Sequence, residues 1–161
     1  MRKGSVIGRH AFSTLCVLAG LAFCGIPPAQ GEDLNRYVGS RVCGECHDLE
    51  YETFTKHSKK AKSYESVEVM RAGLTKAEYH NCLECHSTGY GKPGGFTSVE
   101  ETPHLKNAGC EACHGPGGRH VETGDGADIH RSLSIQDCQR CHNEERVDSF
   151  GFKPLLFGGA H

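Results

Sequence analysis

The sequence predicts a small, compact, mainly α-helical fold of short helices and long loops, with little or no sheet. Three observations predict it. No run alternates apolar and polar residues cleanly over more than a few positions, so no strand is marked. The 161 residues include 21 Gly and ten Cys but no Trp, and only 7% are aromatic. Ordinary side chains therefore supply a thin core. After the first 31 residues, every Cys falls in one repeated five-residue pattern. Something besides apolar side chains must organise such a fold: disulfides, structural metals or covalent cofactors.

Residues 1–31 read as a secretory signal, leaving 32–161 as one domain. Arg2, Lys3 and Arg9 form a positive start. The chain is then mostly apolar from Ala11 to Ile26, and Pro27 and Pro28 break the run. Ala29-Gln30-Gly31 offers small residues for cleavage. The apolar run is 16 residues long, short of the roughly 20 a membrane span needs. Phe23 before Cys24 fits a lipid-attachment site badly. The expected location is the periplasm or another exported compartment, with no stable membrane span after cleavage. The full chain carries 18 basic and 20 acidic residues, and 32–161 keeps 15 and 20, a net charge of −5. Without a basic excess, nucleic acid is a poor partner.

The repeated pattern is Cys-x-x-Cys-His. It occurs at Cys43, Cys46 and His47; Cys82, Cys85 and His86; Cys110, Cys113 and His114; and Cys138, Cys141 and His142. This is the attachment signature of c-type haem. Positions i and i+3 lie on one face of a helical turn, so two thiols reach two vinyl groups on one porphyrin edge. The next residue brings its imidazole beneath the iron as proximal ligand. A disulfide framework gives no reason for a His after every second Cys. Two zinc sites would leave the same His unexplained. Four covalently attached haems are expected, one per about 32 residues of 32–161. The porphyrins then form much of the core, with loops wrapped around them. Gly-rich stretches at 89–95 and 115–118 let backbone approach closely.

The elements follow in order. A helix from about Cys43 to Lys62 carries the first motif and His57. Thr75 with Glu78 makes a capping box that opens a helix through the second motif. The third motif sits on a short helix ended by Gly115-Pro116. Ser134 starts a fourth, with Asp137 in its first turn. The first cysteines of successive motifs are 39, 28 and 28 residues apart, which is not a solenoid period.

Each iron also needs a second axial ligand. Met70 is the only Met after the signal, so at most one haem uses Met, while six further His remain. Mainly bis-His, low-potential haems follow. His57 lies ten residues past His47, roughly 15 Å along a helix, so it serves a haem other than the first. His80 sits on the proximal side of the second motif and ranks low. His104 and His130 precede motifs by six and eight residues and stay undecided.

The chain resembles the tetrahaem cytochrome c-554 family. The resemblance rests on Tyr37-Val38-Gly39-Ser40, His57, the stretches 82–96 and 109–120, and Phe150-Gly151-Phe152. It covers most of 37–161. It implies a mainly α fold with haems in closely stacked pairs, and electron transport in the periplasm. Some members accept electrons from hydroxylamine oxidoreductase; related proteins serve anaerobic respiration. By position, it makes His57 the distal ligand of the third haem, His120 of the first and His161 of the fourth. It leaves the second haem, on His86, without a sixth protein ligand.

The leading expectation is an electron carrier between redox partner proteins in a respiratory chain. No constellation of side chains suggests hydrolysis or group transfer. One alternative is a reductase of nitric oxide or hydroxylamine at an open second haem. Another is a subunit of an extracellular cytochrome filament, with His161 donated between subunits. Haem propionates make the loaded protein more acidic, which favours an electropositive partner surface. Lys56, Lys59, Lys60 and Lys62 form a local basic patch, read first as a solvated helix face.

Overall fold

The structure is a computed structural model, and it describes residues 34–144. The signal segment, Phe150-Gly151-Phe152 and His161 lie outside the described residues. The fold is mainly α. Among the described residues, seven short helices run in order: α1 (Ser40–Cys43), α2 (Asp48–His57), α3 (Ser63–Met70), α4 (Lys76–His86), α5 (Cys110–His114), α6 (Gly118–Thr123) and α7 (Ile135–Gln139). Tighter 3-10 turns at Lys59–Lys62, Arg71–Gly73, Pro103–Leu105 and Gly126–Asp128 connect some of them. No strand occurs among the described residues, and no described helix is long and apolar enough to cross a membrane.

The apolar core is small, as the composition predicts. Tyr64 and Val67 of α3 meet Leu83 of α4, with Phe96 and Leu105 from the loop that follows. Burying one such side chain contributes about 1.5–3 kcal/mol. The loop is held by backbone bonds: Thr88 N–H donates to Leu105 (2.9 Å), and Phe96 N–H donates to Thr88 (2.9 Å). A Cβ on Gly95 would collide with the Gly89 carbonyl, so this turn requires glycine there. The predicted start of α4 is present. Thr75 Oγ1 accepts from the Glu78 N–H (3.3 Å), and Glu78 accepts from the Thr75 N–H (2.8 Å). The predicted end of α5 is present too, with Gly115 at φ 77°.

One expectation changes. The single helix from Cys43 to Lys62 is instead three pieces. The first break spans Gly44–His47, where the Tyr51 ring leaves no room for a Cβ on Gly44. His47 departs from helical geometry at φ −112°, ψ 57°, and its ring turns towards His120. The second break is at Ser58, which is extended and caps the 3-10 turn. The fourth helix does start after Ser134 but ends at Gln139, before Cys141 and His142. It buries no residue fully, so capping alone sustains about one turn.

Candidate functional site

The first and third motifs meet. Ser40 of α1 accepts the Cys110 N–H at its hydroxyl (3.0 Å), joining α1 to the start of α5. Cys43 and Cys110 are in thiol contact. That hydrogen bond, and then burial, push the Cys43 thiol above its ordinary range. Glu111, the residue after Cys110, is 3% exposed. Its carboxylate accepts from Val38 N–H (2.9 Å), Gly39 N–H (2.7 Å) and Gly117 N–H (2.7 Å).

The Gly117 end leads directly into α6 and His120. The His120 and His47 rings face one another, their centres 6.1 Å apart and their planes 25° from parallel. With metal–imidazole bonds of about 2 Å, two rings on opposite sides of one iron have centres about 6 Å apart. The α6 hairpin is braced by Arg36 on Glu122 (2.9 Å), Arg119 on Asp128 (2.7 Å) and Thr123 on Asp128 (2.7 Å).

Three imidazoles are oriented through Nδ1. His86 donates to the Ser63 carbonyl, His114 to the His130 carbonyl and His120 to the Asp125 carbonyl, each at 2.8 Å. A carbonyl only accepts, so Nδ1 carries the proton and Nε2 presents its lone pair. Such second partners fix the tautomer and ring plane of metal-ligating His. Ser63 does more than this: its hydroxyl donates to the His86 carbonyl (2.8 Å) and accepts from Ala108 N–H (2.9 Å).

The second and fourth motifs also approach. Burial, and then contact with Cys85, push the Cys141 thiol up to about 12. Burial raises Cys113, which also senses Cys138. Burial, and then the positive charge of Lys60, lower His142. The positive charge of Lys60 thus reaches the third and fourth motifs.

The remaining histidines are scattered. His57 ends α2 with an exposed side chain. His80 is flanked by Tyr79 and Tyr90, with ring centres 6.3 and 5.8 Å away. His104 lines a cleft of about 520 Å³ with Arg41, Tyr51 and Phe54, beside the first motif. The His130 ring pairs with Asp137 (3.1 Å). Met70 is exposed. The residues present therefore fit c-type haem: paired thiols next to imidazoles, of which those of His86 and His114 carry their proton on Nδ1.

Glu111, Ser63, Ser40 and Asp125 are the positioning residues that spacing alone did not single out. Glu111 did carry a signal. The acidic residue sits at the second variable position in the first two motifs (Glu45, Glu84) but at the first in the third. One position turns a helical side chain by about 100°, and Glu45 and Glu84 are exposed where Glu111 is buried.

The comparisons with known proteins agree with this arrangement. The family described as cytochrome c554 and c-prime matches residues 42–115. Cytochrome c-554 of Nitrosomonas europaea is 31% identical over 133 residues, covering 70% of this chain and 56% of that protein. The multiheme cytochrome MtrC of Shewanella baltica is 27% identical over 104 residues, covering 52% of this chain and 16% of that one. The chain thus spans about half the length of the first relative and much less of the second. No solved structure matches it at a significant level. With the matched segment containing the first three motifs whole, the chain belongs to the cytochrome c-554 family of multihaem cytochromes.

Proposed function

We propose that the chain is an exported tetrahaem electron carrier, moving electrons between redox partner proteins in a respiratory chain. The observation that carries this reading is the facing pair His47 and His120 at 6.1 Å. Carriers favour irons with both axial positions filled by protein, because ligands then stay in place while electrons come and go.

The eight Cys from Cys43 to Cys141 attach four haems, and His47, His86, His114 and His142 are their proximal ligands. His120 is the distal ligand at the first site. His57 and His161 serve the third and fourth, as the family resemblance implies. When bound, each haem supplies a one-electron iron couple. The chain's residues set its surroundings. Hydrogen bonds at Nδ1 raise imidazole basicity and hold the ferric state, lowering potential. The contact of Cys43 with Cys110 and of Cys85 with Cys141 supports close pairing of sites one with three and two with four.

Intact mass of the exported protein tests the reading. It should equal residues 32–161 plus four haems, and its oxidised EPR spectrum should be dominated by low-spin signals. A mass with fewer haems and free thiols would remove the tetrahaem assignment. His57→Ala should keep four covalent haems and convert one to high spin; an unchanged spectrum makes His57 a surface residue.

A further inference from the structure

We propose that Glu111 is a positioning residue shared by the first and third haem sites, which fixes their relative placement and holds both potentials down together. The proposal rests on the reading that the first and third motifs attach haem.

The argument begins with burial. A carboxylate is rarely fully buried unless it is paired, and Glu111 is 3% exposed with no cation on it among its described contacts. Backbone N–H groups take that role. Oε1 accepts from Val38 (2.9 Å) and Gly117 (2.7 Å), and Oε2 from Gly39 (2.7 Å) and Val38 (3.1 Å). Charge-assisted bonds of this kind are roughly twice as strong as neutral ones.

The three donors belong to different parts of the site. Val38 and Gly39 lead directly into α1 and Cys43. Glu111 itself lies between Cys110 and Cys113 in α5. Gly117 precedes α6 and His120. One side chain thus ties together the attachment Cys of site one, the attachment Cys of site three and the ring facing His47. The fit is close. A Cβ on Gly117 would stand 3.2 Å from Glu111 Oε1.

The same side chain is electrostatically placed. After burial, the negative charge of Glu111 is the next cause raising the Tyr37 hydroxyl; it adds to the raising of Cys43 by the Cys110 contact and burial, and it opposes the net lowering of Cys110 by its contact with Cys43. Its field therefore reaches the attachment points of both sites. Oxidised haem iron carries one more positive charge than reduced iron. A negative charge in a medium of low dielectric favours the oxidised form, so it lowers potential.

The test is Glu111→Gln in the exported, haem-loaded protein, followed by spectroelectrochemistry with EPR. Four haems should remain. Two low-spin signals should change together, and at the wild-type midpoint the reduced-to-oxidised ratio of those two should rise about threefold or more, where tenfold corresponds to about 59 mV for a one-electron couple. The other two should stay put, and Glu111→Asp, which keeps the charge, should bring the ratio most of the way back. Four haems with all potentials and signals unchanged would overturn the proposal, and so would an equal shift of all four. If Glu111→Gln attaches fewer haems, peptide mass mapping decides. Losses confined to the first and third motifs, restored by Glu111→Asp, support it; losses across all motifs, or no restoration, overturn it. Wild-type protein with free thiols at Cys43, Cys46, Cys110 and Cys113 would instead refute the haem reading beneath it.

Discussion

α5 and α7 are both five-residue helices with an acidic residue in the first turn, and each carries the start of a Cys-x-x-Cys-His motif. They are held in different ways. α5 contains its whole motif, from Cys110 to His114, and its acid points inward to bind three backbone N–H groups, two of them from a segment more than 70 residues away. α7 contains only Cys138 of its motif. Its acid, Asp137, turns back on Ser134, accepting from that residue's N–H (2.9 Å) and hydroxyl (2.8 Å). The lesson is that one motif specifies local chemistry but not local structure. Tertiary bonds let α5 complete its turn through His114. Purely local capping lets α7 lapse at Gln139.

The largest expected effect comes from removing one attachment pair at a time. Replacing Cys110 and Cys113 by Ala should remove one haem and also alter the EPR signal of the first site, because the two sites share Glu111 and Ser40. Replacing Cys138 and Cys141 should remove one haem and leave the first site's signal as it was. If both variants disturb the first site alike, the contrast between shared and local anchoring fails.

The next effect is confined to one iron. His120→Ala should keep four covalent haems while converting one low-spin signal to high spin. His120 is reached only through Gly117 and the α6 hairpin, so the third site's signal should not follow. An intact low-spin count would mean that the His47–His120 facing is packing and nothing more.

A smaller effect tests the junction itself. Ser40→Ala leaves the half-buried Cys110 N–H without its acceptor. Loss of such a partner costs about 1–3 kcal/mol. The thermal midpoint should fall accordingly, measured on haem-loaded protein. Ser134→Ala removes an exposed cap hydroxyl, and its cost should lie near the low end of about 0.5–2 kcal/mol. Equal falls would mean that the α5 junction is no more demanding than a surface cap.

These contrasts also mark how far the sequence is legible. The Thr75–Glu78 box, the Gly115 stop and the Ser134 start were readable because each is settled within four residues of chain. The Cys-x-x-Cys-His repeat is legible in the same way, as a spacing settled within five residues. The break at Gly44–His47 was not, because helical spacing runs straight through it and only the Tyr51 ring and the demand on His47 interrupt it. The inward turn of Glu111 was half readable: its one-position offset was in the sequence, but two of the three N–H groups that receive it lie 72 and 73 residues away. Distal ligands were least legible, since a His gives no sign of which iron it will face. Among the described residues, His120 is the candidate whose ring faces a motif histidine.

The smallest effect concerns pH, and it belongs to α7. The Ser134 N–H holds the Asp137 carboxyl well below the usual carboxylate range, followed by hydrogen bonds from His130 and the Ser134 hydroxyl. A carboxyl depressed in the folded state stabilises that state fully above the unfolded value, about 3.9 for Asp. The contribution is lost as pH falls through that value towards the lower folded one. Asp137→Asn removes it. The thermal midpoint of the natural chain should therefore exceed that of Asp137→Asn by a constant margin from pH 7 to about 5, with the margin closing below pH 4. Because Asp137 is only half-buried, salt should shrink part of the margin. A gap that persists unchanged to pH 2 would show that Asp137 acts by shape, through the turn it closes, and not by charge. In that case α7 would differ from α5 only in where its bonds lead, with the ionised acid of α7 playing no part.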